Sequence, residues 1–330
     1  MTSGKRASQV IYIDTKDWIE LSRGYNGKSP EFQKIAQVVV DKSKSGEAIF
    51  PLSFIHLSET LRRLNSASRK RLAEYMVLVS HGWSILPAHT IIEPEMKNAI
   101  LEYMGRAPKY DLSTFVFKKG MSQLLGAKGT LVTKDPKNKL PPEVEKKILD
   151  KIETADTLLW LMKYGLSAPF VTKWLENGQA EARKLEQIRK SFQSQFKDTN
   201  LLHRAILGDY FVFSIGPKMM PFLMSIHPDP QSFINTITKD KDEIMRFFQS
   251  MPTAFCNVQL TIYRDLQTMR KIQANDLHDI MGLSIAIPYS NVVVTETMWQ
   301  TAIVQSKLDK LYGTVVLKST NELAPILESK

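Results

Sequence analysis

Short apolar runs alternate along this chain with stretches in which apolar positions recur every three or four residues. QVIYI (9–13), rich in β-branched and aromatic side chains, predicts a strand. A helical pattern with Trp18 and Leu21 follows, then a loop, RGYNGKSP (23–30). Pro30 and Glu31 open a helix whose apolar positions Phe32, Ile35, Val38 and Val39 keep the 3.6 period, and SKSG (43–46) ends it. AIFPLS (48–53) predicts a second strand, HLSETLRRL (56–64) a helix, and Leu72, Tyr75, Met76 and Val79 a further helix face stopped by Gly82. WSIL (83–86) is a third strand. Strand, helix, strand, helix, strand implies a parallel sheet covered by helices.

From about 106 to 254 the pattern becomes helical without clear alternating strands. VEKKILDKIETADTLLWLMKYG (144–165) reads as one long helix or a pair, and Leu185, Ile188, Phe192 and Phe196 mark one side of another. KGTLVTKDPKNKLPPEVEKK (128–147) reads as a polar loop. The α/β rhythm then returns: helices over 254–272 and 275–289, a strand in NVVVTE (291–296), a helix over 299–312 and a last strand in GTVVLK (313–318). The expected architecture is therefore one discontinuous α/β domain, 1–105 with 255–330, interrupted by a mostly α-helical insertion over 106–254.

Charge adds a hint about partners. There are 44 Lys and Arg against 34 Asp and Glu, a net +10. A basic surface attracts polyanions, chiefly nucleic acid, although spread charge also serves simply as solvated surface. The single cysteine, Cys256, rules out an internal disulfide framework and a cysteine-rich zinc site. The first ten residues are polar, unlike a signal peptide. The most apolar stretch, YFVFSIGPKMMPFLMSI (210–226), is too short and too broken by Lys218, Pro217 and Pro221 to span a bilayer; it suits core or an interface. A cytoplasmic protein without membrane contact is the expectation.

Candidate chemistry lies in the acids. In open parallel sheets, sites form beyond the carboxyl ends of the strands. Asp14 follows VIYI and Glu296 follows NVVVT, while Glu59 lies on the helix after the second strand. Asp276 and Asp279 share one face at the start of the helix before NVVVT. Each has an ordinary reading too: Asp14 as a helix cap, Asp276 and Asp279 as first-turn acids, Glu59 as the partner of Arg62 or Arg63. Asp17 reads as a first-turn helix residue. Converging carboxylates repel one another unless a cation neutralises them, and oxygen-only ligands suit Mg²⁺ or Mn²⁺. No phosphate-binding loop, dinucleotide fingerprint or nucleophile elbow is present.

VIYIDTKDWIEL, LSFIHLSETL and DLHDIMGLSIAIPYSNVVVTE together resemble the PIN-domain nucleases over roughly residues 9–104 and 255–320. The resemblance implies a PIN-like parallel sheet flanked by helices (α/β/α). It assigns the metal-ligating and catalytic acids to Asp14, Glu59, Asp279 and Glu296, with Asp276 competing with Asp279. It implies Mg²⁺ or Mn²⁺ as cofactor and hydrolysis of phosphodiester bonds, in RNA rather than DNA, with a toxin or defence role within its scope. Small members of the family lack so large an insertion, which here would select substrate, or bind a regulator or a second copy of the chain. A catalytically inactive PIN-like nucleic-acid-binding or scaffold protein is the alternative. LRRLNSASRKR (61–71) adds a basic stretch, with Arg62, Arg63, Arg69, Lys70 and Arg71 as candidate contacts to a nucleic-acid backbone, or as the solvated face of a helix pair. Lys118, Lys119, Lys128, Lys134, Lys137 and Lys139 would extend it or keep a loop soluble. His56, His203 and His278 are not spaced as a metal set.

Overall fold

Alternation within QVIYI decides which residues of the central strand face which layer. The computed structural model describes residues 8–127, 140–164, 168–195, 198–267 and 269–328. Strands β1 (Gln9–Ile13), β2 (Ala48–Ile49), β3 (Trp83–Ile85), β4 (Phe117–Lys119), β5 (Val292–Val294) and β6 (Val315–Leu317) punctuate a mostly helical chain. Four of them form a parallel sheet in the order β2-β1-β5-β6. Tyr12 pairs with Val293, and Ile13 with Val294. The last three residues of β1 thus lie alongside β5, although some 280 residues separate them in sequence.

Val10, Tyr12 and Val293 face one core; Ile11, Ile13, Val292 and Val294 face the other. Helices Ala88–Tyr103, Pro252–Leu266, Ala274–Tyr289 and Thr297–Gln305 cover the first face. Helices Thr15–Tyr25, Gln33–Lys44, Ser66–Ser80 and Ala155–Tyr164 cover the second. Both faces are dry, which is why these strands read as nearly continuous apolar runs.

Several details depart from the sequence pattern. WSIL forms β3, but outside the four-stranded sheet: its link toward β2 is an isolated parallel bridge from Ser84 to Leu52, three residues past that strand. Its main partner is β4, which runs antiparallel to it inside the stretch expected to be helical. Only Phe117 of β4 is buried, so the strand leaves no alternating signal. Lys118 and Lys119 lie on β4, over the rings of Phe115 and Trp83, and do not line the carboxylate cavity described below. Lys128, Lys134, Lys137 and Lys139 lie outside the described residues. RGYNGKSP is shorter as a loop than expected, because the first helix continues to Tyr25. The stretch read as one long helix or a pair proves to be a pair over its described residues, Pro142–Ile152 and Ala155–Tyr164, the first opened by a proline that helix starts accept.

The helical stretch 106–254 shares its packing with the sheet. Leu202, Ile206, Phe211, Phe247 and Phe248 belong to the same core as Val10 and Tyr12, while Met121, Leu124, Leu158 and Met162 belong to the other. Residues 211–226 form an amphipathic piece: Phe211, Ile215, Met219 and Leu223 are buried, whereas Phe213 and Met224 are exposed. Among the described residues, no helix is long and apolar enough to cross a membrane.

Candidate functional site

β1 and β5 end side by side, and each passes directly into a helix. Asp14 precedes helix Thr15–Tyr25 with φ −64° and ψ 153°; Glu296 precedes helix Thr297–Gln305 with φ −64° and ψ 151°. The two strand endings are conformational twins. An acid in this position ordinarily caps the helix by accepting from its first amides. Neither side chain makes the cap hydrogen bond here, although the Thr15 amide acts on Asp14 and lowers its pKa slightly. Both carboxylates line one cavity of about 530 Å³ at the carboxyl end of the sheet. Thr295 donates to Asp14 Oδ2 at 3.4 Å. Asp17 turns the other way: it is buried and accepts from the Thr320 amide at 3.0 Å, pinning the C-terminal segment.

Glu59 reaches the same cavity from helix Phe54–Leu61. His56 fixes that helix. Its Nδ1 accepts from the Ser53 amide at 2.9 Å, so Nε2 carries the proton and donates to the carbonyl of Ile13 at 2.7 Å. Burial pushes the His56 pKa down to about 4, so the ring stays neutral. The helix bearing Glu59 is thus tied to the residue that precedes Asp14.

Helix Ala274–Tyr289 brings the third element. A Cβ on Gly282 would stand 2.6 Å from the Tyr12 hydroxyl, so glycine lets this helix lie closely on β1. Asp279 lines the cavity and accepts from Trp299 Nε1 at 2.9 Å. Asp276 also lines it but is already engaged. Arg270 grips both its oxygens, each at 2.6 Å, and the Gln273 amide donates to it at 2.8 Å. That separates the two aspartates: Asp276 caps and pairs, whereas among the described residues the indole is the hydrogen-bond donor to Asp279.

The remaining acids repel one another. Burial, then Glu59 and Glu296, push Asp14 up to about 7. Burial and then Asp14 hold Asp279 well above the usual carboxylate range, against the indole bond that lowers it. Burial raises Glu59, offset in part by the Thr15 hydroxyl and by Arg62. Arg62 lies 3.4 Å from Glu59 and also donates to His278 Nδ1 at 3.3 Å. His278 is therefore a neutral acceptor, its pKa lowered to about 4 by burial and by Arg62. Lys16 stands at the rim, 3.9 Å from Glu296.

Among the described residues, no group of three or more His, Cys, Asp or Glu side chains is arranged to hold a metal ion. The acids ring the cavity rather than converging on one point. Their chemistry nonetheless fits a hard divalent cation: the donors are all carboxylate oxygens, and their mutual repulsion is only partly offset. Asp14, Glu59, Asp279 and Glu296 would hold such an ion.

The basic stretch divides. Arg62 and Arg63 line the cavity. Arg69 braces the fold instead, donating to the carbonyls of Arg63, Lys163 and Tyr164 at 2.6, 3.1 and 3.3 Å. Lys70 lies over the Tyr164 ring, and Arg71 lines a separate smaller cavity. The sequence pattern did not single out His56, Gly282, Arg270 or Trp299, which position the acids. Only GLSIAIP, a glycine within an apolar helix, carries a legible hint of close packing. No family model, curated protein or solved structure matches this chain.

Proposed function

We propose that this chain is a metal-dependent endonuclease of PIN-like fold that cleaves RNA. One observation carries the reading: Asp14, Glu59, Asp279 and Glu296 come from four separate segments and line one cavity at the carboxyl end of a parallel sheet. Neither Asp14 nor Glu296 spends its side chain on an N-cap hydrogen bond to its helix. A bound Mg²⁺ or Mn²⁺ would relieve the carboxylate repulsion and supply the Lewis acidity that activates water against a phosphodiester. Trp299 holds Asp279 in orientation, and His56 sets Glu59 against Asp14. Arg62 and Arg63, on the cavity wall, offer cations to the phosphate backbone. The test is cleavage of single-stranded RNA in Mn²⁺ by the purified protein and by Asp14→Asn. Cleavage by the wild type that the variant loses is expected; equal cleavage by both removes the site.

A second reading, a PIN-like nucleic-acid-binding or scaffold protein without catalysis, has its own support. Arg62 and Arg270 already pair with Glu59 and Asp276, which reduces the charge left to attract a cation. Calorimetric titration with Mn²⁺ separates the two: no uptake at millimolar metal favours the scaffold.

A further inference from the structure

Beside the carboxylate cavity lies a second one of opposite character, about 210 Å³ in volume. The two share Ile19 and Arg63 on their walls, so one opens next to the other. Arg23, Lys28, Arg63 and Arg71 line the smaller cavity, and no carboxylate does. Arg23 pairs with Glu20, which lies outside the lining, at 3.2 Å. Ser22 and Ser68 complete the polar wall. The Ser22 hydroxyl donates to the Arg71 carbonyl, and Ser68 accepts from Arg63 Nη2 at 3.1 Å. Arg63 Nε is buried with no hydrogen-bond partner among the described residues. An unpaired guanidinium donor in a buried position is costly unless an acceptor arrives. Glu20 offsets Arg23, and Glu59 lies within electrostatic reach of Arg63, but no carboxylate lines the cavity itself, so its wall favours an anion.

We propose that this cavity is a phosphate subsite, in which Arg63 and Arg71 offer guanidinium donors and Lys28 and Arg23 offer charge at the mouth. The proposal rests on the nuclease reading and sharpens it. Of the basic stretch 62–71 it selects Arg63 and Arg71 and adds Arg23 and Lys28 from the first helix and the loop after it. The phosphate bound here is a neighbour of the one at the carboxylates. It is either an internal phosphodiester of the RNA strand or a terminal phosphomonoester, two sources with the same chemistry.

The test measures binding, without metal, of a short fluorescein-labelled single-stranded RNA by anisotropy across a salt series. RNA with and without a 5′-phosphate is compared, and inorganic phosphate serves as a competitor. Arg71→Ala removes a guanidinium but leaves the backbone carbonyl that Ser22 uses. Lys28→Glu reverses an exposed charge with little risk to folding. Each variant is expected to weaken binding about tenfold and to lower the salt slope by about one phosphate contact. A loss seen with both RNAs identifies an internal phosphate; a loss confined to the 5′-phosphorylated RNA identifies a terminal one. If both variants bind within about twofold of wild type at every salt concentration, the subsite is overturned. Cleavage by Asp14→Asn in Mn²⁺ tests the nuclease reading separately, because the anisotropy experiment contains no metal.

Discussion

Replacing Asp14 by Asn should stabilise the metal-free protein, most strongly at alkaline pH. Asp14 is pushed from 3.8 to about 7 by burial and by the facing carboxylates of Glu59 and Glu296. A raised acid favours the folded state only while protonated. Its contribution is fully present below pH 3.8 and is lost as pH rises through about 7. Three pH units correspond to about 4 kcal/mol at ~1.36 kcal/mol per unit. Asp14 borders an open cavity, and solvent screening reduces this to about 2 kcal/mol. Asparagine keeps the shape and the acceptor for Thr295 but removes the charge. Urea denaturation in EDTA should therefore show Asp14→Asn more stable than wild type by about 2 kcal/mol at pH 8 and equal to it at pH 4. A thermal midpoint higher by several degrees follows for a chain of this size. Millimolar Mn²⁺ should stabilise the wild type and not the variant, since a ligand that binds only the folded state adds RT ln(1 + [L]/Kd). A variant no more stable than wild type at pH 8 would refute the claim that these carboxylates repel one another in a shared cavity.

Other substitutions probe how the acids are held. Gly282→Ala drives a methyl against the Tyr12 hydroxyl at 2.6 Å and should cost about 1–3 kcal/mol in urea denaturation. Tyr12→Phe in the same chain should restore most of that, because the next ring atom is 3.6 Å away; a double variant as unstable as the single one contradicts this packing. Trp299→Phe deletes the donor to Asp279 while keeping a buried ring, so Asp279 should rise further. On the nuclease reading, the acid limb of the pH–rate profile should move to higher pH, and an unmoved limb would detach the indole from the site. Glu95 is fully buried and accepts from the Thr253 amide and hydroxyl and from the Tyr289 hydroxyl. Glu95→Ala should destabilise by about 3 kcal/mol or more. Glu95→Gln should cost clearly less, because burial already raises Glu95 to about 7 and the amide keeps an acceptor oxygen; equal losses for both would mean that the site needs the ionised carboxylate.

The strands were legible because both faces of the sheet are dry. VIYI and NVVV could be nothing but buried strands, and the acid that ends each is conspicuous for that reason. What the sequence does not carry is how each acid is engaged. Asp276 and Asp279 are equivalent by spacing; only the grip of Arg270, six residues before Asp276, separates them. Asp14 and Glu296 look like helix caps by position and are caps by backbone angle, yet their side chains do something else. β4 escaped because a strand with one buried residue on a sheet edge has no period to read. The two roles within 62–71 are hidden for a related reason. Arg69 and Arg71 are both basic residues of one helix, but Arg69 meets the ends of carbonyls on a neighbouring helix and Arg71 meets open space.

The helical segment bears on the chemistry as well as on packing. Leu175, on helix Ala168–Gln195, lines the carboxylate cavity opposite residues of the sheet ends. Further along the same helix, Arg183, Glu186 and Lys190 line, with Lys271, a third cleft of about 670 Å³, which meets the carboxylate cavity at Gln273 and Asn275. The acids therefore lie between two polar clefts with cations on their walls, one built by this helix and one by the first helix and the basic stretch. A polyanion held in both would run across the acids with its middle, not its end, over them. On the nuclease reading, that arrangement would favour cutting within a strand and would put helix Ala168–Gln195 on the substrate path. Charge reversal at Arg183 and Lys190 should then weaken the binding of long RNA while sparing strands too short to fill both clefts, as anisotropy against strand length would show; an equal loss at every length would mean that the third cleft does not carry the strand.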